Sequence, residues 1–354
     1  MLVLAGAGSG KTRVLVERMA FLMQHNGLSP HALMAVTFTN KAAREMRERL
    51  EQRVGRQLFQ MWVGTFHGLA HRFLRAHWRD AGLIEAFVIL DADDQVRLVK
   101  RVIQELGLDD AKFKPRALAG FINGCKDQGE RPHHLQTGRD YYHDRCVEVY
   151  QRYETLCLQS HLVDFGELLL RTFETLKSNA ALLEHYQARF RHVLIDEFQD
   201  TNTIQYAWIR LLSGPHTCVT AVGDDDQSIY AWRGARIENI HRFQTEFAPV
   251  HVVRLEQNYR STEVILEAAN AVIANNQGRM GKQLWTDQGR GEPISLYAAF
   301  NEQDEARFVA NRMMKAHDQG AKYSDLAILY RSNAQSRVLE DALLRAGIPY
   351  RIYG

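Results

Sequence analysis

The stretch "LVLAGAGSGKTRVLVERMAFL" (2–22) narrows the possible folds more than any other part of the chain. An apolar run passes through a glycine-rich turn into a helix whose Leu15, Met19 and Leu22 share one face. The same rhythm returns at "LMAVTF" (33–38) and "MWVGTF" (61–66), each with a helical stretch behind it, and the strands resume at "HVLID" (192–196) and "CVTAV" (218–222). Strands alternating with helices predict an α/β fold built on a parallel sheet.

"AGAGSGKT" (5–12) matches the phosphate-binding loop, with Ala5 standing where a glycine is usual. In such a loop Ala5, Gly6, Ala7, Gly8, Ser9 and Gly10 curl the backbone so that its N–H groups face phosphate oxygens, and the helix N-terminus adds positive potential. Lys11 would neutralise the β- and γ-phosphates, and Thr12 would ligate Mg²⁺. "VLIDEFQD" (193–200) supplies the complement, because a strand ending in Asp196-Glu197 puts two carboxylates at the sheet's carboxyl edge. Asp196 suits the metal, and Glu197 suits proton removal from an attacking water. Together these motifs predict an ATPase or GTPase.

Between about 67 and 190 the pattern turns helical, with Val96, Val99, Ile103 and Leu106 at helical spacing, and predicts an inserted helical unit. Beyond about 256 a second α/β series is expected. It has helices near 262–275, 304–319 and 335–346, and strands at "ISLYAAF" (294–300) and "LAILY" (326–330). Over the 354 residues the formal net charge is only +2, so affinity for a polyanion must come from local patches. No apolar run approaches the roughly 20 residues of a membrane span. The four cysteines show no paired spacing, which makes a reducing cytoplasm the default expectation.

"GDDDQSIYAWRGA" (223–235) then points to a second ligand. Gln227 lies just past a strand end, where a neutral amide can bond both a γ-phosphate and an attacking water. Tyr230 and Trp232 follow within five residues, and with Arg233 and Arg236 they form a charged stacking surface suited to single-stranded nucleic acid. "TFTNKAAREM" (37–46) and "GTFHGLAHRFLRAH" (64–77) repeat the arrangement. Phe38, Thr39, Asn40, Thr65, Phe66 and His67 are expected to line one groove, with Lys41, Arg44, Arg47, Arg49, Arg72 and Arg75 on the helices behind.

In this order, "AGAGSGKT", "VTFTNKAAREM", "GTFHG", "DEFQD", "VGDDDQSIYAWRGA" and "LEQNYRS" closely resemble the superfamily 1 DNA helicases of the UvrD/Rep/PcrA type. "MWVGTFHGLAHRFLRAH", "DFGELLLR" and "YRSNAQSRVLE" resemble the UvrD branch most. The resemblance spans essentially the whole chain. It implies a RecA-like ATPase domain from 1–66 and 191–256, a helical subdomain at 67–190, and part of a second RecA-like domain at 257–354. It also implies ATP and Mg²⁺ as cofactors, 3′-to-5′ movement on single-stranded DNA, duplex unwinding at junctions, and roles in excision repair, mismatch repair and replication alongside repair proteins. Gln227 would couple the γ-phosphate to the DNA groove, and Tyr230 and Trp232 would stack bases. Arg260 would reach the γ-phosphate, Tyr259 would stack on adenine, and Arg13 would help hold the base.

The family's glutamine segment before the phosphate loop is absent here, as are its late motifs. The expectation is therefore a fragment with weak or no unwinding by itself. A binding module without motor action and the motor of a helicase–nuclease are the competing readings.

Overall fold

A computed structural model describes residues 1–55, 57–58, 60–138 and 140–353. The expected domain boundary at Gly354 lies outside them. The strands are β1 (Leu2–Ala5), β2 (Leu33–Thr37), β3 (Trp62–Thr65), β4 (Val88–Ile89), β5 (Leu162–Val163), β6 (His192–Ile195), β7 (Cys218–Gly223) and β8 (Val252–Leu255). Six of them form one sheet in the order β3-β2-β6-β7-β1-β8, with every pairing parallel. β8, which lies in a stretch not read as a strand, forms the edge beside β1.

Parallel sheets need cover on both faces, and the alternation along the strands supplies two apolar surfaces. Leu2, Leu4, Met34, Val36, Val193 and Ile195 enter one core with Phe73, Leu169, Tyr186 and Trp208. Val3, Ala5, Leu33, Ala35 and Leu194 enter the other with Leu15, Met19, Met46 and Leu50. Because all strands run the same way, every strand C-terminus opens on the same edge.

The helical stretch divides differently from the expected 67–190. Helices Phe66–Ala76, Phe165–Ser178 and Ala180–Arg189 bury Phe73, Leu169 and Tyr186 against the sheet. A separate helical core runs from Leu90 to Cys157, built by helices Ala92–Glu105, Pro115–Gln128 and Tyr141–Gln159. The division follows from what each apolar face meets: the flanking helices find the sheet, and the inner three find each other. Beneath this core Lys126 is buried between Asp164 (2.7 Å) and Glu167 (2.9 Å), and Arg131 binds Glu167 at 2.8 Å.

Helix Pro115–Gln128 reaches the sheet unit at its last turn, where Asn202 donates to Asp127 at 2.8 Å and Thr203 donates to Gln128 at 2.8 Å. Burial pushes the Asp127 carboxyl up to about 6, with Asp164 adding to the rise and the Asn202 bond opposing it. The folded chain thus keeps this proton where the unfolded chain has lost it, so Asp127 withdraws stability as pH rises from about 4 to about 6. Asp127→Asn should raise the melting temperature by roughly 1–3 °C at pH 7.5, and the gap should close at pH 4.5. Thermal melts at both pH values check this, and an equal gap at each is the contrary result.

The chain divides into two compact units, Met1–Gly291 and Glu292–Gly354, so residues 257–291 group with the sheet rather than with the residues after them. In the second unit helices Glu302–Asp318 and Ser336–Arg345 pack through Ala310, Leu343 and Ile348. The runs expected as strands at 294–300 and 326–330 do not pair there. Leu296 and Phe300 are each 97% exposed and Leu329 is 95% exposed. Alternation gave these runs an apolar face, but a strand also needs a neighbour to bond its backbone.

Candidate functional site

The glycine-rich turn leaves β1 with Gly8 at φ +67° and Gly10 at φ +89°, both in the left-handed region that favours glycine. A side chain at Gly8 would also collide with Asn258, whose amide nitrogen would lie 2.5 Å from the added carbon. Ala5 stands outside the turn, contrary to the expectation that it contacts the ligand. It is the last residue of β1, fully buried, and paired with Leu255. Extended backbone accepts any residue, so the missing glycine costs the loop nothing.

Lys11 and Thr12 open helix Lys11–Gln24 and face the end of β6. The Lys11 ammonium lies 3.0 Å from Glu197 Oε2, and the Thr12 hydroxyl donates to Asp196 Oδ2 at 3.2 Å. Glu197 occupies left-handed backbone at φ +49°, a conformation that costs a non-glycine residue about 1 kcal/mol or more and turns its carboxylate back toward Lys11. Burial, reinforced by the Glu197 charge, pushes the Asp196 carboxyl up to about 6. A carboxylate held this reluctantly ionised, with a hydroxyl beside it, is a hard-oxygen pair short of positive charge. It fits a small divalent cation that keeps several waters.

Past β7, Asp224 caps the short turn Asp225–Gln227, and the Gln227 amide donates to its carboxylate. That bond uses one of the amide's two N–H groups, and among the described residues no hydrogen bond reaches the side-chain carbonyl oxygen of Gln227. Gln199 joins this loop to β6: its amide donates to Glu197 at 2.9 Å, and its carbonyl accepts from the Asp224 backbone at 2.9 Å. Gln199 and Asp200 carried no assigned role in the sequence, although both lie inside "DEFQD". Asn258 was passed over inside "NYRS". It is buried, donates to the Ala7 carbonyl at 2.6 Å, and accepts the backbone N–H groups of Arg260 and Ser261. Tyr259 bonds Gly8 through its backbone, so Tyr259 and Arg260 stand beside the glycine turn with exposed side chains. Arg13 is exposed on the helix behind.

Two cavities open on this edge. One of about 470 Å³ is lined by Thr12, Thr39, Asp196, Glu197 and Gln227. The other, of about 390 Å³, is lined by Thr65, His67, Phe165, Asn202 and Arg233. Phe38 and Asp200 line both. Phe38 stacks on Tyr230 with ring centres 5.2 Å apart, and the Arg233 guanidinium lies over Trp232 at 4.6 Å. Trp232 is 74% exposed, an unusual position for so large an apolar ring. Burial holds His67 below the usual histidine range, and its ring meets Phe165 edge-on. Phe165, not singled out in the sequence, is half exposed at the start of its helix.

Other expected groove residues also hold the local structure. Phe66 is 4% exposed and packs on Trp208, and it borders the second cavity as part of its floor. Thr39 and Thr65 cap the helices that follow them, and Asn40 accepts from the Thr65 hydroxyl at 3.5 Å. Arg236 is exposed, with its backbone N–H bonded to Thr201. Three of the arginines expected behind the groove are structural. Arg47 binds the Val63 carbonyl, Arg72 binds those of Gln60 and Met61, and Arg75 binds those of Glu85 and Phe87. Free carbonyls at strand and loop ends captured these side chains before solvent could.

The description "UvrD/REP helicase N-terminal domain" matches residues 1–248, and "UvrD-like helicase C-terminal domain" matches 253–354. The chain is 59% identical over 354 residues to DNA helicase II of Escherichia coli and 52% identical over 357 to that of Haemophilus influenzae. It is 43% identical over 355 residues to the ATP-dependent DNA helicase PcrA of Staphylococcus aureus. Each match takes in 100% of this chain and 49% of the relative, so the chain spans about half the length of the curated relatives it matches. A P-loop between parallel strands, a carboxylate pair beside it and both family descriptions across the sequence agree: the chain belongs to the UvrD/REP helicase family.

Proposed function

We propose that this chain is the nucleotide-hydrolysing and DNA-gripping part of an ATP-dependent DNA helicase. The observation that carries the reading is the shared wall. Phe38 and Asp200 each border the cavity beside the phosphate loop, which Tyr230 also lines, and the cavity lined by His67, Phe165 and Arg233. Single side chains thus separate the two cavities, and in this reading they carry a change from one to the other.

At rest Lys11 is paired with Glu197. Arrival of a triphosphate draws the ammonium toward the phosphates and frees Glu197 to take a proton from water. The water oxygen then bonds the γ-phosphorus as the bond to the bridging oxygen breaks, releasing ADP and phosphate. Thr12 and Asp196 would hold Mg²⁺, which supplies charge neutralisation to the phosphate oxygens. In this reading the side-chain carbonyl of Gln227 orients the water once DNA fills the groove, and Arg260, beside the glycine turn, answers the terminal phosphate. Tyr230, Trp232, Arg233 and Phe38, with Phe165 and His67 across the second cavity, suit stacked bases and a tracked phosphate backbone. Arg13 and Tyr259 are assigned to the adenine. The proposal extends, on the family resemblance, to 3′-to-5′ movement, unwinding at junctions, excision and mismatch repair, replication, repair-protein partners and a cytoplasmic location. Among the described residues no helix is long and apolar enough to cross a membrane.

The decisive experiment is ATP hydrolysis with and without single-stranded oligonucleotide, measured on the protein as its gene encodes it. Hydrolysis that rises with DNA supports the reading, and hydrolysis indifferent to DNA overturns it. Trp232→Ala should weaken single-stranded DNA binding about tenfold, the order expected for one lost base–aromatic stack. Fluorescence anisotropy with a labelled oligonucleotide checks this, with unchanged affinity as the contrary result.

A further inference from the structure

Asp224, Asp225 and Asp226 present ligand oxygens within 4.8 Å of one another, a grouping that resembles a cation site. Its positive charge comes from two side chains far along the chain. Lys282 Nζ lies 2.6 Å from Asp224, 2.5 Å from Asp225 and 2.9 Å from Asp226. Arg279 grips Asp226 with two bonds, at 2.6 and 2.7 Å, and donates a third to the Lys282 carbonyl. The Met280 backbone N–H donates to Asp225 at 2.8 Å. Lys282 is 8% exposed and Asp224 is 1% exposed. Surface ion pairs contribute little, but a lysine this buried among three carboxylates is costly to place unless all of them are held together.

Two neighbouring contacts give the clasp its meaning. On one side, the carboxylate of Asp224 that binds Lys282 through Oδ1 also accepts the Gln227 amide through Oδ2. On the other side, Leu284, two residues past Lys282, packs so tightly on Gly6 that an added carbon there would lie 2.1 Å from its methyl. Residues 279–284 therefore touch the phosphate loop at one end and the Gln227 loop at the other.

We propose that Lys282 and Arg279 are positioning residues that fix Asp224–Asp226, and through Asp224 the amide of Gln227, in register with the phosphate loop. This rests on the reading of the chain as a DNA-stimulated ATPase. Lys282 orients the Asp224 carboxylate, and that carboxylate sets which way the Gln227 amide faces. Arg279 anchors the loop just before it continues to Tyr230 and Trp232. Without the clasp, hydrolysis proceeds but DNA no longer accelerates it.

The test compares ATP turnover with and without saturating oligo(dT), and the ATP KM, in the protein as its gene encodes it. Lys282→Met should cut the DNA stimulation factor about tenfold while the DNA-free rate and KM stay within twofold, and Lys282→Arg should recover most of the factor. Because Lys282→Met leaves buried carboxylates unpaired, a second pair of variants decides the matter if it does not fold. Arg279→Gln alone should lower the factor, and Arg279→Lys, which keeps a cation on Asp226, should recover most of it. Stimulation that survives Lys282→Met, an equal fall in DNA-free and DNA-stimulated rates, or an Arg279→Lys variant that recovers no more than Arg279→Gln overturns the inference. If the unsubstituted protein shows no DNA stimulation, the motor reading fails and this inference falls with it. Stimulation in the unsubstituted protein together with any of the first three results overturns this inference alone.

Discussion

Lys11→Ala is expected to reduce ATP turnover by a thousandfold or more while leaving the melting temperature almost unchanged. Lys11 sits at the first position of its helix, 11% exposed, and its one close charge partner is Glu197. No apolar contact depends on its ammonium, so the fold loses little. On the proposed reading the site loses the lysine assigned to the phosphates, and with it a fixed charge where negative charge moves during transfer. Mutational losses of such groups in water-excluded sites reach about 10²–10³ each, and this lysine also contributes to binding. Steady-state turnover and a thermal melt on the same preparation check the expectation. Turnover within tenfold of the parent would remove the phosphate loop from the mechanism.

Glu197→Gln is expected to slow turnover by about 10²–10⁴ with ATP affinity retained or improved. The substitution keeps the shape, and the amide can still accept from Gln199. It removes the group proposed to take the water's proton. It also releases Lys11 from the 3.0 Å pairing that competes with phosphates for its charge, which is why affinity should not fall. Single-turnover hydrolysis beside equilibrium binding of a fluorescent nucleotide separates the two effects. Parallel loss of binding and turnover would assign Glu197 to holding the ligand, and the proton would need another acceptor.

The parts legible in the sequence were those whose chemistry is local. The phosphate loop, the Asp196-Glu197 pair and the strand-then-helix rhythm of the sheet each lie within a dozen residues, and each formed where periodicity and turn chemistry placed them. The parts that were not legible depend on partners distant in the chain. Lys282 is an ordinary exposed-type residue until folding brings three aspartates around it. Phe38 and Phe66 share a sequence context, yet one stays at the rim on Tyr230 and the other sinks onto Trp208, because only the second lies over the helices that cover the sheet. Arg47, Arg72 and Arg75 read as a basic face and are consumed by carbonyls. The runs at 294–300 and 326–330 show the converse, since alternation marks an apolar side but supplies no neighbour to pair with.

The helical core between Leu90 and Cys157 leaves the sheet unit beyond β4 and re-enters it through β5, and these two short strands lie side by side with Val88 opposite Leu162 and Ile89 opposite Val163. Its entry and exit are therefore a fixed socket, but its occupant is tied to the catalytic edge, because Asp127 and Gln128 accept from Asn202 and Thr203, and Gln95, Asn123 and Asp127 line the second cavity. Since the paired strands point the same way, a tight hairpin is no substitute, and the minimal replacement is a crossover of about a dozen residues, most simply one helix. Any replacement cassette would also have to carry the acceptors that Asn202 and Thr203 bond and the side chains that wall the second cavity.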